Sequence, residues 1–278
     1  MLTDANTWNR LTDLGIIKWI EEKKQKGEII NVGFSYHGGK SEFIKIIDAY
    51  DWEFCMIQYN FLDENNQAGR SGLEYASKKG LPVMIMEPLR GGKLVTGLPK
   101  EVYDLWDSAY TKRSPAEWAL RWIWNHKEVT TVLSGMNSTQ MIEENIKVAS
   151  DANINSFTEK DFELFKKAKE ILGEKIKIPC TGCNYCMPCP AGVDIPTCFS
   201  CYNNIELEGK LRAITTYMMQ TSLKRENHNA SRCVSCGKCE ENCPQKIEIR
   251  EELTKVSKRL EGFYYRPISF LAKKFMRL

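Results

Sequence analysis

No stretch of about 18 apolar residues occurs in this sequence, so nothing in it reads as a transmembrane helix. Its first residues, Met1-Leu-Thr-Asp-Ala-Asn6, carry no basic segment followed by an apolar one, so no secretory leader is expected. The formal net charge is only +3, too little to point to nucleic acid. No G-x-G-x-x-G opens a helix, which leaves a Rossmann dinucleotide site without support. Histidine occurs three times; His126 and His228 have no ligand-like company and read as surface or structural. Cysteine is nearly missing before residue 180. Cys55, in a β-rich run, reads as a core thiol.

What is present is a globular composition, with 42% hydrophobic and 27% charged residues in 278. That length suits one large domain and a small one. Ten of the eleven cysteines lie between Cys180 and Cys243. Without a leader, reduced, metal-bound thiols in a cytoplasmic protein are the expected state. The run Cys233-Val-Ser-Cys236-Gly-Lys-Cys239-Glu-Glu-Asn-Cys243-Pro244 has the C-x2-C-x2-C-x3-C-P spacing of a bacterial-type iron–sulfur run. A second run, Cys180-Thr-Gly-Cys183-Asn-Tyr-Cys186-Met-Pro-Cys189-Pro190, lies upstream, with a last spacing of x2. Zinc also binds C-x2-C pairs, but four cysteines in one unbroken run followed by proline favour iron–sulfur. Gly237 permits close backbone approach, and Pro190 and Pro244 turn the chain away.

Before residue 173 helical and β-rich segments alternate. Leu11, Leu14, Ile17 and Ile20 predict a helix over 9–26, stopped by Gly27. Strands are expected at 29–35, 54–59, 81–86 and 129–134. Helices are expected at 41–50, after the Ser71–Glu74 capping pattern, after Ser114-Pro-Ala-Glu117, at 138–149, and at 158–172 opened by Thr158 and Asp161. Four such repeats argue for parallel βα units, in a doubly wound sheet or a TIM-type barrel. Residues 173–179 form a linker, after which Cys, Pro and polar residues dominate. The expected domains are 1–174, 175–255 and a basic tail 256–278. A further helix is expected from Leu207 to Met219.

Residues 9 to about 172 resemble the C-terminal half of an aldo/keto reductase barrel. The resemblance rests on Gly33-Phe-Ser35, Gln58-Tyr-Asn60, Pro88-Leu89 with Gly91-Gly92 and Leu94, Ala119-Leu-Arg-Trp122, Ser134-Gly135 and Glu144-Asn145. The cysteine segment narrows it to the subgroup with a C-terminal 4Fe-4S ferredoxin domain. The fold implied is half of a (β/α)8 barrel, about four βα units, followed by a small α-helical dicluster domain. The resemblance implies NAD(P)H as cofactor. It places Ser35 and Gln58 at the nicotinamide carboxamide and Met86 where many members stack an aromatic on the nicotinamide ring. It puts Pro88, Leu89 and Gly91 over the pyrophosphate, Ser134, Gly135 and Met136 at the adenosine phosphates, and Asn145 at adenine. Gln140 stands where NADP-using members often carry arginine, which removes a bidentate contact to the 2′-phosphate.

The family's catalytic Tyr, Asp and Lys belong to strands upstream of any found here. Met1-Leu-Thr-Asp4 resembles the residues after its catalytic His. The chain is therefore expected to start in mid-barrel, with no catalytic residue assigned; Tyr36 and His37 are the nearest substitutes or else an ordinary loop pair. A late start codon, a lost front half and a separate chain supplying it would each explain this, and the exposed half barrel could self-associate. The ferredoxin pattern implies one cluster on Cys180, Cys183, Cys186 and Cys243 and another on Cys189, Cys233, Cys236 and Cys239. A single cluster also remains open. Two 4Fe-4S clusters would bring the +3 charge to about −1. Cys198 and Cys201 read as packing thiols or substitute ligands. The tail, Arg266 to Leu278, is either a terminal helix packed on its domain or a contact for an acidic partner or membrane surface. Two functions compete: an oxidoreductase that binds a nicotinamide nucleotide and whose clusters pass single electrons to or from a partner, a redox protein or a small carbonyl substrate, and an electron-transfer module whose half barrel is a scaffold or docking surface. Clusters of purely structural use are a third reading.

Overall fold

The structure, a computed structural model, describes residues 1–224 and 226–276. Arg277 and Leu278 of the expected tail lie outside the described residues. The chain divides into two compact units, Met1–Thr96 with Tyr103–Lys169 and Gly97–Val102 with Glu170–Leu278.

Through the first unit the order is α1 (Ala5–Asp13), α2 (Ile16–Gln25), β1 (Gly33–Tyr36), α3 (Lys40–Asp48), β2 (Phe54–Gln58), α4 (Gly69–Lys78) and β3 (Val83–Met86). There follow α5 (Lys100–Ser108), α6 (Pro115–Trp124), β4 (Thr131–Val132), α7 (Thr139–Asp151) and α8 (Glu159–Lys175). Among the described residues the strands form one sheet, in the order β1-β2-β3-β4, with every pairing parallel. A doubly wound sheet reverses its order at a switch point; this one never reverses. It is the sequential order of half a (β/α)8 barrel. Leu2 extends the β1 edge through a parallel bridge to Tyr36.

Alternation sorts the strand residues by face. Phe34, Tyr36, Cys55, Ile57, Val83 and Ile85 are buried. Phe43 of α3 packs on that face, its ring 4.9 Å from Tyr36 and 5.9 Å from Phe34. The opposite face carries the register row Ser35, Met56, Met84 and Thr131, all half-buried. A second aromatic cluster centres on Trp106 and Trp118, stacked at 5.2 Å, with Phe61 and Phe165 beside them.

Cap chemistry explains where several helices start. Ser114 accepts from Glu117 N at 3.1 Å ahead of the proline that opens α6. Thr158 and Asp161 form a reciprocal box, Asp161 Oδ2 accepting from Thr158 N at 2.8 Å and Thr158 Oγ1 from Asp161 N at 3.3 Å. The Ser71 pattern opens nothing: α4 begins two residues earlier, and Glu74 pairs with Arg70 instead. The expected helix 9–26 is two helices, because Gly15 adopts φ +86° and breaks the ladder. Leu14 is consequently exposed rather than in the apolar stripe. β1 starts at Gly33, later than expected, leaving Ile30 exposed.

Burial pushes the Cys55 thiol up to about 12, from an ordinary value of 9.0. The folded state therefore retains a proton that the unfolded state releases above pH 9. Stability present below that pH is lost between about 9 and 12, by at most about 1.4 kcal/mol per pH unit for this one group. Urea denaturation at pH 8 and pH 10 should show the loss in wild type and a smaller one in Cys55→Ala, normalised to its own value at pH 8.

The second unit contains α9 (Ile195–Glu208), α10 (Lys210–Tyr217), a π-helical turn at Met218–Ser222, a 3-10 turn at Ala230–Arg232, α11 (Lys238–Glu241), α12 (Ile249–Leu260) and α13 (Tyr265–Met276). The helix expected from Leu207 to Met219 is divided at Gly209, so Leu207 ends α9 instead of opening α10. Phe199, Tyr217, Ile249, Leu253, Val256 and Leu260 make the core.

Candidate functional site

The cysteine runs are placed by polar contacts rather than by regular structure. Asn203, buried on α9, accepts from Lys177 N at 3.1 Å and Ile178 N at 2.9 Å, and donates to Ile178 O at 2.8 Å. It pins the chain just before Cys180. The far end of the first run is tied to the approach to the second. His228 Nδ1 lies 2.7 Å from Gly192 O, Asp194 N donates to His228 O at 2.9 Å, and Arg232 Nε donates to Ala191 O at 3.0 Å. The Tyr217 hydroxyl accepts from Ala230 N and donates to Glu261 Oε1, both at 2.7 Å. Glu261 also receives Asn229 Nδ2 at 2.7 Å and Ser231 N at 3.0 Å. Apart from His228, read as surface or structural and here holding Gly192, none of these residues stood out in the sequence, since their partners lie far along the chain.

The thiols fall into two groups that cross between the runs. Cys180, Cys183, Cys186 and Cys243 line one small apolar cavity with Ile195, Phe199 and Ile247. The Cys186 thiol is pushed up to about 12, first by burial and then by Cys180, Cys183 and Cys243. Cys239 is pushed up to about 11, first by burial, and its thiol neighbours are Cys233 and Cys189. Ser235 N donates to Cys233 Sγ at 3.4 Å. Cys236 is the exposed member. At Gly237 the requirement is a left-handed backbone, φ +80°; a Cβ there would meet nothing nearer than Arg250 Cζ at 3.8 Å.

The donor set fits iron–sulfur clusters: four thiols around an apolar cavity in one group, and Cys239 with Cys233 and Cys189 as its neighbours in the other. A single tetrahedral zinc ion would draw its thiolates to about 3.8 Å of one another, from bonds of about 2.3 Å. A four-iron cube separates its ligands more widely. Cys198 and Cys201 are buried on α9, with Sγ 3.9 Å from the Tyr217 hydroxyl and 3.8 Å from Gln220 Oε1 respectively. They pack the core.

In the first unit a cavity of about 560 Å³ opens at the C-terminal ends of β3 and β4. Pro88, Leu89, Gly91, Ser134, Gly135 and Asn145 line it together. Asn145 Nδ2 donates to Ser134 Oγ at 2.9 Å. Met136 and Gln140 lie outside the lining; Gln140 Nε2 donates to Glu144 Oε1 at 2.9 Å. Ser35, Gln58 and Met86 are not in the cavity but share one sheet face, Gln58 and Met86 being register partners.

Gln58 is buried and engaged internally. Its Nε2 donates to Asp63 Oδ2 at 3.0 Å, and its Oε1 accepts from Gln67. Asp63 Oδ2 also receives Arg90 Nε at 2.9 Å and Asn60 Nδ2 at 3.2 Å. Asp63 is thus the hub on which the Gln58-Tyr-Asn60 motif converges, and only its place three residues after Asn60 could have hinted at it. His37 Nδ1 meets Gln67 Oε1 at 3.0 Å, and burial lowers its pKa. The Tyr36 hydroxyl donates to Gly39 O at 2.5 Å, and burial raises its pKa. Both are packed inside rather than presented to a cavity. His126, read as surface or structural, is buried, with Nδ1 2.8 Å from Trp122 O.

The aldo/keto reductase family model matches residues 5–170, and that of the 4Fe-4S dicluster domain matches residues 179–248. Among solved structures, the chain is similar to an aldo-keto reductase from Bacillus halodurans, AKR11C1, in its holo and apo forms. Each is 22% identical with a TM-score of 0.41, over 53% of this chain and 53% and 54% of the other. The chain thus spans about half the length of those structures. No curated protein matches it.

Proposed function

Because the chain belongs to the aldo/keto reductase family and carries a 4Fe-4S dicluster domain, we propose that it is an oxidoreductase that exchanges electrons between a nicotinamide nucleotide and two 4Fe-4S clusters. The observation that carries this is the crossed grouping of the thiols, Cys186 with Cys180, Cys183 and Cys243, and Cys239 with Cys233 and Cys189. The clusters supply one-electron storage and transfer. The protein's part is to hold them. Cys243 is buried and Cys186 half-buried, and the Ser235 N–H stabilises charge on Cys233 sulfur. We take the reductase part as 1–174, the cluster part as 175–255 and the tail as 256–278, in a cytoplasmic protein.

The cavity at β3 and β4 is the proposed nucleotide site. Pro88, Leu89 and Gly91 would lie over the pyrophosphate, Ser134 and Gly135 at the adenosine phosphates, and Asn145 at adenine. Ser35 and Met86 border the nicotinamide end, where Gln58 must exchange an internal partner to reach the carboxamide. Glu144 beside Gln140 disfavours a 2′-phosphate, so NADH is the preferred nucleotide. A small carbonyl compound or a redox protein is the electron partner.

The test is NADH titration of the cluster-loaded chain by fluorescence. Saturable binding is expected, weaker for NADPH, and abolished in Gly135→Trp. A Cβ at Gly135 meets nothing within 4 Å, so an indole there fills the cavity without displacing backbone. If wild type shows no saturable binding while iron and sulfide remain near eight each, the enzyme reading fails. The internal engagement of Gln58 favours the second reading, a ferredoxin-like module on a half-barrel scaffold, which that result would leave standing.

A further inference from the structure

Helix α13 presents an apolar face that its own unit leaves uncovered. Tyr265 points inward, 5% exposed, its hydroxyl 2.7 Å from Ser222 Oγ. Ser269, Ala272 and Lys273 are half-buried on the same side, and Lys273 Nζ donates to Asn227 Oδ1 at 2.7 Å. The other side carries Tyr264, Ile268, Leu271 and Phe275, which recur at i, i+4, i+7 and i+11 and so form one stripe. Phe263 and Phe270 flank it. All six are exposed, Phe263 by 89% and Phe275 by 87%. From Gly262 to Met276 there is no acidic residue, while Arg266, Lys273 and Lys274 are cationic.

We propose that α13 is an interfacial helix that docks the protein on an anionic lipid bilayer. Twelve residues make a cylinder about 18 Å long, too short and too polar to span; no described helix is long and apolar enough to cross a membrane. Laid in the interface plane, the stripe enters the acyl boundary. Arg266 and Lys274 then stand at headgroup level, where basic side chains attract anionic lipid. A fluid bilayer accommodates a convex aromatic ridge without a complementary groove. A second copy packed antiparallel on this stripe would set Arg266 of each copy beside Lys274 of the other, like charge against like, which argues against it as the occupant. An acidic protein would match the cations but leave the stripe without a groove to enter.

The experiment is co-sedimentation of the full chain with vesicles of phosphatidylcholine alone and of phosphatidylcholine containing about a third phosphatidylglycerol. Wild type is expected to bind the anionic vesicles, more weakly as salt rises. Leu271→Glu/Phe275→Glu should lose on the order of tenfold or more in partitioning. Both side chains are exposed, so circular dichroism should remain that of wild type. Lys274→Glu should lessen binding to anionic vesicles only. Absence of binding to anionic vesicles overturns the proposal, as does equal binding by the double variant. Self-association lost in the double variant, without vesicle binding, would assign the face to a second copy. Capture on polyglutamate without vesicle binding would assign it to an acidic protein. Either result overturns the lipid assignment.

Discussion

Cys243→Ala is expected to remove the cluster proposed for the first run, although Cys243 stands at the end of the second. After anaerobic reconstitution the variant should hold about four iron and four sulfide, against about eight of each expected for wild type. The reason is spatial. Cys239 sits on the short helix α11, and the chain leaves that helix at Asn242. Cys243 then enters the core beside Ile247 and Ile249, against Cys186, while Cys239 stays with Cys233 and Cys189. Paired variants separate this from ligation within each run. Cys180→Ala/Cys243→Ala should retain about four iron, because both changes strike one cluster. Cys239→Ala/Cys243→Ala should retain close to none, because they strike two. Ligation within each run predicts the reverse, so either order of the double variants decides between them. Ligand loss also removes folding free energy, since thiol sites of this kind gain stability from the group they hold. The singly loaded variants should unfold at lower urea.

Arg90→Met is expected to cost about 3–5 kcal/mol, measured by urea denaturation, because it strands a buried carboxylate. Arg90 is 2% exposed, and its Nε meets Asp63 Oδ2 at 2.9 Å. Asp63 retains Gln58 and Asn60 as donors in the variant, but neither supplies a positive charge. Removing both charges should cost far less: Asp63→Leu/Arg90→Met replaces an ion pair by apolar side chains, and such exchanges are often close to neutral. A single-variant loss below about 1 kcal/mol, the scale of an exposed pair, would show that water reaches the site. The change also bears on the cavity, since Arg90 lies between Leu89 and Gly91, which line it. NADH binding should weaken in Arg90→Met and not in an exposed control such as Lys18→Met.

Much of the first unit is legible from local pattern. Apolar runs marked β2 and β3 closely, because a buried parallel strand needs side chains apolar on both faces. Ser114 and Thr158 marked helix starts through their own side chains. Legibility ended where a competing local choice prevailed. The spacing of Leu11, Leu14, Ile17 and Ile20 suited one helix, yet Gly15 takes a left-handed backbone and turns Leu14 outward. Ser71 and Glu74 made a credible capping box, but the helix starts earlier and Glu74 turns to Arg70. At the candidate sites the distinction is sharper. Eight thiols could be picked out by spacing alone. Asn203, Tyr217, Glu261 and Asp63 could not, because a buried polar residue is identified by the distant groups it satisfies.

The sequence by itself determined the family, the alternation of strands and helices, and the two cysteine runs from which sulfur ligands are proposed, since these are written in residue type and in separations of a few positions. Tertiary structure decided which thiols are neighbours, that Gln58 serves Asp63 and Gln67 within the protein, and that α13 leaves an aromatic stripe uncovered. Each depends on contacts between residues far apart in the chain. Such contacts form only when burial of apolar surface brings separate segments together, and local periodicity carries no record of which segments those are.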